Sequence, residues 1–245
     1  MSFRKGFHEP AEKPRRFYKA VTVGEADGGG FSILLDGRTL RTPKAQRLAL
    51  PTRAAAEQVA EEWDAQEKTI EMAGMHATRL ANTAIETIAA AREGVADQIA
   101  QYAGSDLICY FADDPAALVA RQEASWGPLL ARAAADEGLR FERCVGIVHR
   151  EQPAETLARV REIALELDDF NLAGLAFGTS LFGSAVLGIG LHRGWLNGAD
   201  AYDLSRVDEA FQEEKWGVDA EAAERAERLR GEARMLERWF RALQA

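Results

Sequence analysis

Cysteine is scarce. Cys109 and Cys144 are the only two in a chain of 245 residues, too few for a disulfide scaffold and without the spacing of a metal site. Both sit among apolar neighbours, which reads as packed, inert thiols. Histidine is nearly as sparse. His8, His76, His149 and His192 are scattered with no partner one helical turn away, and neither H-E-x-x-H nor Cys-x-x-Cys occurs, so no metal site is expected. A Walker-type phosphate loop is absent. Gly178-Thr179-Ser180 starts like a nucleophile elbow, but Phe182 stands where that turn needs glycine. Gly188 and Gly190 start like a dinucleotide fingerprint, yet the next glycine, Gly194, comes one residue late and no strand pattern precedes it. These absences leave no catalytic residue and no cofactor to nominate. A small hydrolase using the glycine-rich region near Ser180 is the rival reading.

Positive charge is also in short supply. Thirty Lys and Arg stand against 39 Asp and Glu, a net charge of -9. Such a surface repels phosphate backbones, and nucleic acid is not an expected partner. Basic residues gather only near the start, where Arg4, Lys5, Lys13, Arg15, Arg16 and Lys19 face Glu9 and Glu12, and this reads as a solvated arm. No apolar segment follows it, and it contains acids and prolines with little serine, unlike an export signal or a mitochondrial presequence. A cytoplasmic protein is expected, or a matrix protein if a longer precursor has been trimmed.

One long uncharged run exists, Phe170 to Leu191, enough to cross a bilayer, with Gly174 and Gly178 at the spacing of a membrane helix-dimer face. Its five glycines and Asn171, Thr179, Ser180 and Ser184 weaken insertion. The favoured reading is a pair of buried helices, packed through small residues and broken near Gly183, with no stable membrane insertion. A membrane-associated factor is the alternative.

What is present is core material, 47% hydrophobic residues, enough for a sizeable interior. Alternation over Phe17–Val23 predicts a strand. Asp27-Gly28-Gly29-Gly30 predicts a turn and Phe31–Leu35 a second strand. Asp36-Gly37 is a hairpin signal, Arg38–Thr42 the returning strand and Leu48–Leu50 a short fourth. Helical periodicity takes over afterwards. Thr52 caps a helix whose stripe is Ala55, Ala56, Val59, Ala60 and Trp63, making Trp63 structural. A long helix carries Leu80 to Tyr102 with a bend at Gly94. Asp114-Pro115 starts the next, interrupted at Gly127-Pro128 and stopped by Gly138. Pro153 opens another. Ser205 and Asp208 have capping-box spacing, and a final helix from about Val218 turns Ala222, Ala226, Leu229, Ala233, Leu236, Phe240 and Leu243 inward. Its outer face carries Glu221–Arg225, Glu224–Arg228 and Glu237–Arg241 pairs. His192 and Arg193 are expected to satisfy carbonyls at a helix end. The fold class is α+β, with a small antiparallel sheet lobe plus helix over residues 1–75, then a larger all-α lobe over 76–245.

Carboxylates are the one plentiful reactive group. Asp208, Glu209, Glu213 and Glu214 crowd two turns of one helix, either as a solvated face or as a partner-contact face.

Several blocks together resemble a known family. Leu34-Leu35-Asp36-Gly37-Arg38-Thr39-Leu40-Arg41-Thr42-Pro43 is followed by Leu48-x-Leu50-Pro51 and by Val59-Ala60-x-Glu62-Trp63-Asp64-x-Gln66. Further along come Thr78-Arg79-Leu80-Ala81-Asn82-Thr83-Ala84-Ile85, then Gln122 with Trp126 and Pro128, then Phe211-Gln212-x-Glu214-x-Trp216-Gly217-x-Asp219. In this order they are similar to the assembly chaperones of the ATP synthase alpha subunit. The family usually has prolines at Met72 and His76 and an Asp at Glu86. The resemblance implies a non-enzymatic chaperone, needing no cofactor, that shields the interface of the unassembled alpha subunit until the beta subunit replaces it. It also implies client contact through Glu209, Glu213, Glu214 and Trp216. A monomer is expected when the protein is free.

Overall fold

The computed structural model describes residues 13–146 and 150–245. Arg4, Lys5, His8 and His149 lie outside the described residues.

Strand β1 (Val21–Glu25) runs antiparallel to β2 (Phe31–Leu35), with Val21 opposite Leu35 and Glu25 opposite Phe31. The alternation starting at Phe17 overestimates β1, because the backbone N–H groups of Lys19 and Ala20 donate instead to the Asp36 carboxylate at 3.1 and 2.8 Å. Asp36 and Gly37 have φ of 47° and 79°, and the chain returns as β3 (Arg38–Thr39), shorter than the expected return to Thr42. Glycine at 37 meets the positive φ without strain. β4 (Ala49–Leu50) pairs with the other end of β2.

Helix α1 (Arg53–Asp64) begins where the Thr52 hydroxyl accepts from the Ala55 N–H at 3.1 Å, and Ala55, Ala56, Val59 and Trp63 are buried beneath the sheet. Next come α2 (His76–Thr83), a π-helical turn (Ala84–Ile88) and α3 (Ala89–Ala103). The irregularity lies in that turn and at Ala91 (φ -137°, ψ 25°) rather than at Gly94. Glycine permits a bend without enforcing one, and a Cβ at Gly94 would meet open space. The π turn carries Glu86, whose carboxylate accepts from the Lys44 N–H at 2.5 Å.

A pairing with no sequence signal follows. β5 (Tyr110–Phe111) lies parallel to β6 (Cys144–Val145), bracketing α4 (Ala116–Glu137). Asp114 makes no cap there; Pro115 occupies the cap position. The helix also continues through Pro128 instead of breaking, since Trp126, Leu129 and Leu130 are buried on both sides of it, and packing on the core outweighs one lost N–H. It ends, as expected, at Gly138.

The remaining helices are α5 (Ala154–Glu166), α6 (Asp169–Phe182), α7 (Ala185–His192), α8 (Gly198–Leu204), α9 (Val207–Trp216) and α10 (Ala220–Leu243). The uncharged run thus becomes two buried helices separated at Gly183, which is left-handed. Asp168 caps α6 through the Phe170 and Asn171 N–H groups, and Ser184 caps α7 through that of Leu187. A Cβ at Gly174 would stand 2.6 Å from Phe240 and one at Gly178 2.9 Å from Leu236. The small-residue spacing therefore seats α10. No helix among the described residues is long and apolar enough to cross a membrane.

Along α10 the buried residues are Ala233, Leu236, Trp239 and Phe240, whereas Ala222 is exposed. The inward stripe thus fails only in the first turn, at Ala222, while Ala226, Leu229 and Leu243 are half-buried against the core. Of the three expected ion pairs only Glu237–Arg241 forms, at 2.6 Å, while Arg228 turns to Glu232. The C-terminal half of α10 reaches back to the sheet lobe. There the Thr52 hydroxyl donates to the Ala242 carbonyl at 2.5 Å and the Gln58 amide to that of Met235 at 3.3 Å.

Candidate partner-binding site

The acidic residues singled out in the sequence share α9, but they do different things. The helix starts without the anticipated capping box. The Ser205 hydroxyl donates to the Tyr202 carbonyl, and the Asp208 carboxylate accepts from the Gln122 amide at 2.6 Å. Phe211 is buried and faces α4, with the Arg121 guanidinium 5.2 Å and the Lys215 ammonium 4.3 Å from its ring centre, both at cation–π distance.

Glu214 takes a two-pronged bond from Arg121, 2.7 Å at each oxygen. That bond holds the Glu214 carboxyl below its ordinary pKa. Glu213 is half-buried and paired with Arg206. Glu209 is exposed and has no hydrogen bond or ion pair among the described residues. A carboxylate already held by a guanidinium has little charge left to steer a partner. Glu209 forms no such bond, although its charge is felt by Arg206, and it is the exposed carboxylate of this face most available to a partner.

Glu209 lines a cleft of about 550 Å³ between α9, the start of α10 and the corner joining α6 to α7. Leu107, Phe182, Tyr202 and Leu229 give it apolar surface, and Arg206 and Arg225 also line it. At the end of α9, Gly217 (φ 81°) turns the chain, and Asp219 caps α10 through the Glu221 N–H at 3.1 Å. The side chains on either side of the glycine, Trp216 and Val218, are 79% and 52% exposed. An uncovered indole beside an uncovered valine is the composition of an interface anchor. Its purely structural alternative, an indole packed in a core, does not apply to Trp216.

The other nominated residues lie elsewhere. Trp63 is buried at the end of α1, and the Tyr18 hydroxyl donates to its carbonyl at 2.6 Å. Asp36 and Gly37 form the hairpin turn, where the two backbone bonds keep the Asp36 carboxyl below its ordinary pKa. Arg121 and Arg206 gave no sequence signal, Arg121 being 93 residues from its partner Glu214.

The rival site near Ser180 is a pocket between α3 and α6 lined by Gln98, Gln101, Tyr102, Ser105 and Thr179. No histidine or carboxylate lines it to activate a hydroxyl. His192 does not bond a helix-end carbonyl. Its Nε2 lies 3.2 Å from the Asn171 side-chain oxygen, and burial pushes its pKa down to about 4. Arg193 likewise turns to Glu137 at 2.6 Å. Among the described residues no group of three or more His, Cys, Asp or Glu is placed to hold a metal ion.

Residues 15–134 match the sequence model of the ATP12 chaperone protein family. The chain is 25% identical over 227 residues to the mitochondrial protein atp12 of Schizosaccharomyces pombe, spanning 88% of this chain and 78% of that one. Among solved structures it superposes on Atp12 from Paracoccus denitrificans with a TM-score of 0.87 at 39% identity, covering 94% of this chain and 98% of that one. The Atu1473 protein of Agrobacterium tumefaciens matches with a TM-score of 0.89 at 41% identity, over 94% and 86% of the two chains. Similarity at that identity over nearly the full length, in sequence and in fold, settles the assignment: the chain belongs to the ATP12 chaperone family.

Proposed function

We propose that the protein is an assembly chaperone of the ATP synthase catalytic sector that binds the unassembled alpha subunit and shields its subunit interface until the beta subunit replaces it. Membership of the ATP12 chaperone family carries this reading, and the collinear blocks from Leu34 to Asp219 point to the alpha subunit as client. The physical need is plain: a subunit made to be surrounded exposes apolar surface when alone and aggregates through it. The holder must cover that surface and still let go, which favours a modest interface with a few apolar anchors and electrostatic steering.

Within that reading Trp216 is the anchor and Glu209 the steering charge, with Val218 beside the indole. Glu213 and Glu214 hold the face in shape through Arg206 and Arg121 and touch the client at its edge. The reaction is binding alone, with no catalytic residue and no cofactor. The free protein is a soluble monomer, working in the cytoplasm of a bacterium or in the mitochondrial matrix of a eukaryote. Co-expression with each catalytic-sector subunit in turn, followed by affinity capture, tests the client: alpha alone should be retained. Retention of beta alone, or of neither, overturns the reading.

A further inference from the structure

The charge of this molecule is unevenly placed. Residues 13–53 contain nine Lys and Arg against three carboxylates, Glu25, Asp27 and Asp36, a local charge of +6 in a chain whose total is -9. Part of this excess is neutralised at home: Arg16 pairs with Asp64 and Lys13 with Glu71. Arg47 pairs with Asp27 and Arg53 lies over the Phe31 ring, whereas Arg38 and Arg41 line a second groove, about 530 Å³ in volume, at the β2–β3 end of the sheet. Tyr18, Leu35 and Leu40 are buried at its floor. Phe17 forms a wall, 71% exposed, with its ring edge-on to Tyr18 at 5.3 Å. Arg38 and Arg41 also line the groove, and both are exposed.

These two cations are available. Arg38 has no hydrogen bond or ion pair among the described residues, and the Arg41 side chain donates only to the Ala45 carbonyl at 2.8 Å, whereas the charge of Lys19 acts on the Asp36 carboxylate. The one carboxylate in the groove, Asp36, is occupied by the backbone N–H groups of Lys19 and Ala20. An apolar floor, an exposed phenylalanine and two uncompensated guanidinium groups thus converge on one concave surface. That combination fits a ligand with an apolar side chain flanked by carboxylates, which guanidinium groups grip with paired bonds.

We propose that this groove is a second docking surface, for an acidic protein segment presenting one apolar side chain. It is distinct from the α9 face and opposite to it in charge. A polyanion such as nucleic acid or an anionic membrane fits less well. Its phosphates would have no use for the apolar floor, and the negative charge of the rest of the molecule would repel an extended polyanion. The proposal is independent of the identity of the client.

The test is fluorescence anisotropy of the full chain with a labelled twelve-residue Asp/Glu peptide carrying a single leucine. A peptide with lysine in place of each acid, one with glycine in place of leucine, and a single-stranded oligonucleotide complete the set. Binding should be confined to the acidic leucine peptide and weaken as salt rises. Arg38→Glu should weaken it by about tenfold or more, and Phe17→Ala by roughly fivefold, with melting temperatures unchanged because both side chains are exposed. Glu209→Lys should leave it unaltered. Equal binding of the lysine peptide or the oligonucleotide, indifference to loss of the leucine, or affinity unchanged by Arg38→Glu would each overturn the assignment. So would absence of binding by the wild-type chain.

Discussion

Trp63 shows how one buried side chain ties the sheet lobe together. Its ring lies 5.7 Å from that of Tyr18, whose hydroxyl donates to the Trp63 carbonyl, while its own Nε1 has no hydrogen-bond partner among the described residues. Replacing it with arginine puts a guanidinium where no acceptor waits. Trp63→Arg is expected to cost about 3 kcal/mol or more and to lower the melting temperature; an unchanged melt would contradict the burial. Asp106 makes a different prediction. It is fully buried, and desolvation pushes its pKa from 3.8 up to about 6, against the bonds it accepts from the Ser184 hydroxyl and the Val186 N–H. The folded protein therefore keeps a proton that the unfolded chain releases between about pH 4 and pH 6. Stability falls as pH rises through that window, by about 3 kcal/mol at most, and this group adds no further change above it. Asp106→Asn cannot titrate. The gap in unfolding free energy between parent and variant, from urea melts, should be widest near pH 4 and shrink by about 2 to 3 kcal/mol at pH 7. An identical gap at both would exclude the linkage. The first of these residues was readable from the sequence, since its spacing from Ala56 and Val59 marks an inward stripe. Asp106 was not, because it is buried by the start of α7, which arrives 80 residues later.

Among the elements, those governed by local chemistry were legible. Thr52, Asp36-Gly37, Gly138 and Gly183 start, turn or stop the chain where their backbone preferences say they should. Elements decided by distant contacts were not. α4 runs through Pro128 on the strength of its buried flanks, β5 meets β6 across a whole helix, and the first turn of α10 leaves Ala222 of the expected core stripe in solvent. Glycine spacing in α6 had two readings, and contact with α10 decides between them. A methyl group at Gly174 would fall 2.6 Å from Phe240 and 3.1 Å from Trp239. Both rings are held in the core, so the helices must separate. Gly174→Ala should destabilise the fold by about 1 to 3 kcal/mol despite the better helix propensity of alanine. A stabilised variant in a thermal melt would show that the α6–α10 contact is looser than the geometry says. The acidic run of α9 was visible as a cluster but not as a site, because only the positions of Arg121 and Arg206 reveal which carboxylates are already neutralised.

At the scale of the whole molecule, the carboxyl-terminal helix closes the structure by docking on the first helix, where Arg238 also pairs with Glu61. Trp216 and Val218 stay uncovered at the α9–α10 corner, from which Asp219 lines the Glu209 cleft. An uncovered apolar anchor on the same helix as an exposed carboxylate free of hydrogen bonds suits a holder that binds and releases. The most direct test is capture of the alpha subunit by the wild-type chain and by Glu209→Lys, at low and high salt, beside thermal melts of both. Glu209 is exposed and makes no hydrogen bond, so its reversal should cost at most about 1 kcal/mol of stability through Arg206 and the start of α9, and leave the melt nearly unchanged. Retention of alpha should drop by about tenfold where the reversed charge meets the client, since a rim or desolvated contact contributes about 1 kcal/mol or more. Wild-type capture itself should be salt-sensitive. A wild-type chain that fails to retain alpha, or a Glu209→Lys chain that retains it fully at both salt concentrations, would contradict the α9 face as the place where the client is held.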